Sequence, residues 1–269
     1  MPASLAELLS AAKIYDLEQP RFFGMPIYPT HRPGYFYALY RRHRDGYRPE
    51  LHGSRSSATG TLTMMEHTGT HIDALCHQAH GLKMYGDVPV DQAETPTGFN
   101  RLGVETVPPL LGRGVLLDVA GFLGQPRLAP KYAISAEEMK ACAAAEGVSV
   151  KPGDVLLVRT GFGALWNDEA AYLQAAGVAK SGTLWAADQG VTAVGADNMS
   201  WDVPDERDPE TGATLFGHVY LLPQKGIYIM ENLKLEELAR ERCYSFAFIG
   251  IPLKLNGATG SPLRPVALA

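Results

Sequence analysis

Residues 135–160, SAEEMKACAAAEGVSVKPGDVLLVRT, show the building unit of the fold. Ser135 offers a hydroxyl to the start of a helix, and Glu138 stands three residues on, so the two read as a capping box. The alanine-rich run behind them predicts a helix to about Ala145, with Gly147 as its stop. Lys151-Pro152-Gly153-Asp154 is a turn. The apolar run after it, 155–160, has the length and composition of a buried strand.

Working outward, short apolar runs at 114–119, 191–196, 227–230 and 246–253 predict further strands. Residues 61–66 read as another strand. Helices are expected over 167–176 and 233–240, and an amphipathic one over 1–12. Residues 218–222 precede a turn at 223–226. Strands and helices alternate with no long linker or repeat, which predicts one α/β domain over residues 1–269 with a mixed sheet. Residues 19–50 are rich in Pro, Gly, Tyr and Arg and are expected to form an irregular arm, a segment type that often carries binding or interface roles.

Composition narrows the function classes. The chain has 269 residues, 46% apolar and 20% charged, enough for a proper core. Its net charge of −5 and the absence of a long Lys/Arg run argue against nucleic acid. Arg41-Arg42-His43-Arg44 reads as a surface or interface patch. No apolar run reaches the roughly 18 residues of a membrane span. The three cysteines, Cys76, Cys142 and Cys243, form no disulfide framework and suit a reducing cytoplasm. Cys76 reads as a small buried filler.

The chemistry concentrates in residues 67–77, HTGTHIDALCH. Imidazoles and carboxylates are ligands for zinc and similar divalent ions. His67 and His71 stand four apart and Asp73 two beyond. Gly69 interrupts helix geometry, so a bent loop at a strand end brings the imidazoles together. Three protein ligands with an open position form a catalytic arrangement. His80 reads as a polar neighbour.

HTGTHIDALCH resembles the HxGTHxDxPxH signature of the cyclase-like metal-dependent hydrolases, the family of bacterial kynurenine formamidase and isatin hydrolase. The similarity runs along nearly the whole chain, through 16–17, 24–26, 151–166, 195–197, 218–222, 226–233 and 253–266. Leu75 stands where the family has Pro. The resemblance implies a swivelling β/β/α fold with a barrel-like core. It implies one metal site from His67, His71 and Asp73, and a second from His218 and Glu231 with Asp73 bridging, so one or two zinc or manganese ions per chain. Without it, His218 reads as a strand-end histidine and Glu231 as a helix N-terminal acid.

The resemblance also places a non-ligand His at His77, the candidate general acid/base, with a ligand or orienting role as the alternatives. It implies hydrolysis of a small amide, cyclic amide or ester. The other readings are a metal-dependent cyclase or dehydratase and a non-catalytic metal-stabilised binding protein. Phe22, Phe23 and Tyr37, with Tyr35 and Phe36, are candidates for either a substrate pocket wall or interface packing. A homo-oligomer, dimer or tetramer, is expected.

Overall fold

The computed structural model describes residues 5–269. Its centre is a nine-stranded mixed sheet curled into a half-barrel. In chain order the strands are β1 (Ile14–Asp16), β2 (His71–Asp73), β3 (Leu110–Leu117), β4 (Val155–Val158), β5 (Ala193–Ala196), β6 (Tyr228–Glu231), β7 (Ser245–Gly250), β8 (Gly260–Pro262) and β9 (Val266–Leu268). Across the sheet they run β1-β9-β7-β3-β4-β5-β6-β2-β8. The middle four, β3 to β6, are parallel, and every other pairing is antiparallel.

The central strands are buried on both faces, as parallel strands are. Leu156 and Val158 enter one apolar cluster, while Val155 and Leu157 enter another on the opposite face. Helices α1 (Ala136–Ala145) and α2 (Lys180–Asp188) cover the first face, contributing Met139, Cys142 and Ala186. The second face is closed by Leu235, Leu238 and the buried side of β7. The Gly195-Ala196-Asp197 element locks β5 to the loop after β4. Buried Asp197 accepts hydrogen bonds from Thr160 N (2.6 Å), Thr160 Oγ1 (2.7 Å) and Gly161 N (2.8 Å).

The capping box at Ser135 and Glu138 is present as read, and the helix ends at Ala145 with Gly147 at φ +68°. Several expectations need correction. Residues 19–50 are not irregular throughout, because Phe36–Arg41 pairs with Thr59–Thr63 in a two-stranded hairpin. The strand expected over 61–66 is this second partner and ends before the histidine motif. The helix expected over 167–176 is only Glu169–Tyr172, and that over 233–240 begins at Glu236. The helix at the start is seen over Leu5–Ala11; residues 1–4 of the predicted span lie outside the described residues. No described helix is long and apolar enough to cross a membrane.

Candidate metal centre

Strand periodicity assembles most of the cluster. Successive side chains alternate faces, so His71 and Asp73 share one face of β2 while Ile72 points into the core, fully buried. On antiparallel β6, Glu231 lies directly across from His71 and therefore shares its face. His67 arrives from the turn before β2, where Gly69 takes φ +73°. On β8, Gly260 is opposite Asp73, and a Cβ there would lie 2.7 Å from His67 Cε1. The imidazole occupies the space that any side chain at 260 would need.

His218 is not at a strand end, contrary to the reading without the family. It sits in helix α3 (Phe216–Tyr220), which continues into a wider turn over Leu221–Lys225. Glu231, in turn, ends a strand and does not start a helix. The turn expected over 223–226 is instead mostly helical: the wide helical turn runs through Lys225, its buried Leu221, Leu222 and Pro223 holding it to the core, and Gly226 ends it.

The five side chains converge in a buried cluster. His67 Nδ1 stands 2.8 Å from Asp73 Oδ1, and His71 Nε2 stands 3.4 Å from Asp73 Oδ1 and 3.4 Å from Glu231 Oε2. His218 Nε2 is 3.0 Å from Glu231 Oε1 and 3.5 Å from Asp73 Oδ2. Asp73 thus lies between two sets, His67/His71/Asp73 and Asp73/His77/His218, each with donor atoms within 4.8 Å of one another.

The outward-facing nitrogens are each held by the protein. His218 Nδ1 is 2.7 Å from Asp202 Oδ2, and Asp202 also accepts from the backbone N–H groups of Gly217 and His218. His71 Nδ1 meets the carbonyl of Gly69 at 2.8 Å, which Asn232 Nδ2 also reaches at 3.0 Å. His67 Nε2 meets Thr259 Oγ1 at 2.8 Å, and that hydroxyl donates to Glu66.

The inward atoms lack such partners. His67 Nδ1, both Asp73 oxygens and Glu231 Oε1 are buried without a directed hydrogen bond. They face only one another across the cluster, with no partner outside it to fix them, and buried charges left so are costly to desolvate. Imidazole and carboxylate donors converging on one centre fit a divalent cation of the N/O-binding kind. Electrostatics point the same way. Burial alone would push the Asp73 carboxyl up, but His77, His67 and His71 hold it well below the carboxylate range. Burial and the neighbouring Asp73 raise Glu231, against the pull of His218. Burial would lower His218, but Asp202 and Glu231 outweigh it and raise the imidazole well above its ordinary value.

Above the cluster lies a cleft of ≈ 420 Å³. Tyr28, Thr30 and His31 wall it from the arm, Gln78 from the motif loop, and Met199, Ser200 and Leu215 from the far side. His77 faces it, its ring centroid 4.1 Å from that of His67. Among the described residues no hydrogen bond holds either ring nitrogen of His77, and burial pushes its imidazole well below the ordinary value.

The remaining candidates fall elsewhere. Phe22 packs against the core, Phe23 is 84% exposed, and Tyr37 lies half-exposed on the hairpin, so none of the three lines this cleft. His80 is exposed and its backbone pairs with Lys83. Leu75 is buried in the core. Cys76 is buried too, its thiol pushed up by burial to about 12, which agrees with a filler. The sequence reading missed His31, Asp202 and Thr259. Only His31 left a signal, as a histidine between Pro29 and Pro33 in the arm; Asp202 and Thr259 become visible once the chain folds them onto His218 and His67.

The curled mixed sheet carries this histidine and carboxylate cluster on β2 and β6, one strand in from the β8 edge, and the chain belongs to the cyclase family: the family model described as "Putative cyclase" matches residues 15–203. It is similar to the kynurenine formamidase of Bacillus anthracis, 24% identical over 260 residues that cover 96% of this chain and 98% of that one. The kynurenine formamidase of Paracidovorax citrulli is 26% identical, covering 94% and 95%. Among solved structures, a novel cyclase matches with TM-score 0.85 and 30% identity, covering 97% of this chain and 90% of that one. Isatin hydrolase A from Ralstonia solanacearum shares the fold with TM-score 0.76 at 19% identity, covering 100% and 98%.

Proposed function

We propose that this chain is a divalent-metal-dependent hydrolase that cleaves the C–N bond of a small amide or cyclic amide with water as nucleophile. The observation that carries the reading is the set of inward-facing donors on His67, Asp73 and Glu231 that face one another without a directed hydrogen bond, beneath a cleft that His77 faces. The names of the relatives, kynurenine formamidase and isatin hydrolase, supply the substrate class.

His67, His71 and Asp73 hold one ion in this reading. His218 and Glu231, with Asp73, would hold a second, zinc or manganese in either case. When bound, such an ion lends Lewis acidity that activates water and polarises a carbonyl. The protein's own work is the proton transfer. His77, kept neutral by burial, accepts the proton of the attacking water and returns it to the leaving nitrogen, which departs poorly as an anion. Asp202, Thr259 and Gly69 fix which nitrogen of each ligand histidine faces the centre.

The same reading treats residues 1–269 as one domain, supported by a sheet whose strands run from Ile14 to Leu268. Exposed Phe36, Leu39 and Tyr40 on the hairpin support a homo-oligomer. Three unpaired cysteines support a cytoplasmic setting.

The test is turnover of N-formylarylamines, isatin and cyclic imides in ¹⁸O-labelled water. Label in the acid product is expected. Product formed by ring closure with loss of water, and so without label, would establish the cyclase or dehydratase reading instead.

A further inference from the structure

The turn that brings His67 and His71 together has three backbone carbonyls held from outside it. Arg21 reaches two of them, Nε donating to Thr68 O at 3.3 Å and Nη2 to Thr70 O at 2.5 Å. The middle carbonyl, of Gly69, accepts from His71 Nδ1 and belongs to a residue at φ +73° with no side chain to steady it. His67 and His218 rest on the side chains of Thr259 and Asp202, whereas His71 rests on this backbone oxygen. Asn232 Nδ2 holds that oxygen at 3.0 Å, and it stands 3.5 Å from His71 Nδ1, the two N–H groups meeting at one acceptor.

Asn232 follows Glu231 directly and takes φ +56°, a left-handed conformation that Asn tolerates. It is buried, and each of its polar groups is used. Its N donates to Asn198 O at 2.7 Å, its O accepts from Thr70 Oγ1 at 2.6 Å, and its Oδ1 accepts from the Tyr172 hydroxyl at 2.7 Å. A carbonyl only accepts, so Gly69 takes the Nδ2 end of the amide. That leaves Oδ1 for Tyr172, whose hydroxyl must donate. The series from Tyr172 through Asn232 and Gly69 thus places a proton on His71 Nδ1 and a lone pair on Nε2. Tyr172 itself is buried away from the cleft, its ring edge-on to Trp166 with centroids 5.2 Å apart. We infer that Tyr172 and Asn232 are positioning residues: together they set the Gly69 carbonyl and so aim His71 Nε2 at the metal centre. The inference rests on the metal-binding reading of His71 and adds two residues that lie outside the cleft.

The test is Co²⁺ affinity, by competition with a chromophoric chelator, for wild type, Tyr172→Phe, Asn232→Gly and the double variant. Tyr172→Phe removes the hydroxyl and keeps the ring. Asn232→Gly removes the amide and keeps a backbone free to turn left-handed. Asn232→Gly should weaken binding about tenfold, the low end for groups that orient metal-binding histidines. Tyr172→Phe should weaken it about threefold, as for one hydrogen bond. Adding Tyr172→Phe to Asn232→Gly should change nothing further, because the hydroxyl then has no amide to hold. Long-range ¹H–¹⁵N spectra of metal-free protein, at a pH where the ring is neutral, read the same point without metal. Wild type should carry the His71 proton on Nδ1, and either single variant should show a share of it on Nε2. Wild-type affinity in both single variants overturns the proposal, as does a Tyr172→Phe loss equally large with and without the Asn232 amide. If Asn232→Gly fails to fold, Tyr172→Phe decides, and a His71 spectrum identical to that of wild type overturns it. If wild type binds no Co²⁺, the metal-binding reading fails, and the same spectra still decide whether Tyr172 and Asn232 hold His71.

Discussion

Each of the three histidines in the proposed ligand set, His67, His71 and His218, commits one nitrogen to the protein and turns the other to the centre. For His218 the committed partner is a carboxylate, Asp202, itself fixed by two backbone N–H groups. Outer partners of this kind are worth 10–100-fold in metal affinity. Asp202→Asn keeps the shape and loses the charge and the fixed acceptor. It should weaken divalent-ion binding by about that factor, read by competition with a chromophoric chelator; an unchanged affinity would remove Asp202 from the site. The motif residues were legible in the sequence because ligand chemistry concentrates in His67, His71 and Asp73. Asp202 and Thr259 were not, since an isolated Asp or Thr carries no signal until its partner is known. Phe22, Phe23 and Tyr37 illustrate the converse. Aromatic composition marks apolar contact but does not say which surface makes it, and the structure turns Phe23 outward.

Among the elements, period-two alternation explains why two residues of β2, His71 and Asp73, and one of β6 share a face and build much of the centre. Strong local signals were read correctly. The capping box that starts α1 joins Ser135 Oγ with Glu138 N at 3.2 Å, and Glu138 Oε2 accepts from Ser135 N at 2.8 Å. Ser135→Ala should cost about 1 kcal/mol in urea unfolding without touching the metal site; no loss would mean the cap is idle. Helix α2, by contrast, has Gly182 and Thr183 inside it and no side-chain cap at Ala179, so nothing local announces it. It is held by burial of Gly182, Thr183 and Ala186.

The far end of α1 carries a titrating group. Glu146 accepts from Asp118 N at 2.9 Å, and burial pushes its carboxyl up to about 7 from the ordinary 4.5. The folded state therefore holds a proton between those values that the unfolded state has released. Stability from this group is full below pH 4.5 and is lost as pH rises through about 7. Glu146→Gln retains an oxygen for Asp118 N and should flatten that decline in urea midpoints measured from pH 5 to 8. A decline as steep as in wild type would place its origin elsewhere.

For the whole molecule, the alternation of strand and helix signals was enough to predict a mixed α/β sheet. The strand order was not legible, because β1, β8 and β9 are three residues each and pair with strands far away in sequence. The metal centre is also a joint of the fold, since β2, β6 and α3 each supply side chains to it. An ion that binds the folded chain alone stabilises it by ~2.7 kcal/mol at a hundredfold excess over Kd. For a chain of this size that corresponds to a Tm shift of roughly 5–10 °C, so calorimetry with and without zinc or manganese should show it. An identical Tm would mean that no ion occupies the folded cluster.

In the proposed mechanism His67, His71, Asp73, His218 and Glu231 hold the metal and His77 moves the proton. It is tested most directly by measuring metal per chain and kcat on one set of proteins: wild type, Asp73→Ala and His77→Ala, each stripped with chelator and reloaded with Zn²⁺ or Mn²⁺. Asp73→Ala should lose both metal and activity, whereas His77→Ala should keep wild-type metal content and lose about 10²–10⁴-fold in kcat. Full turnover by metal-free wild type, or a His77→Ala protein that loses stoichiometric metal, would contradict it.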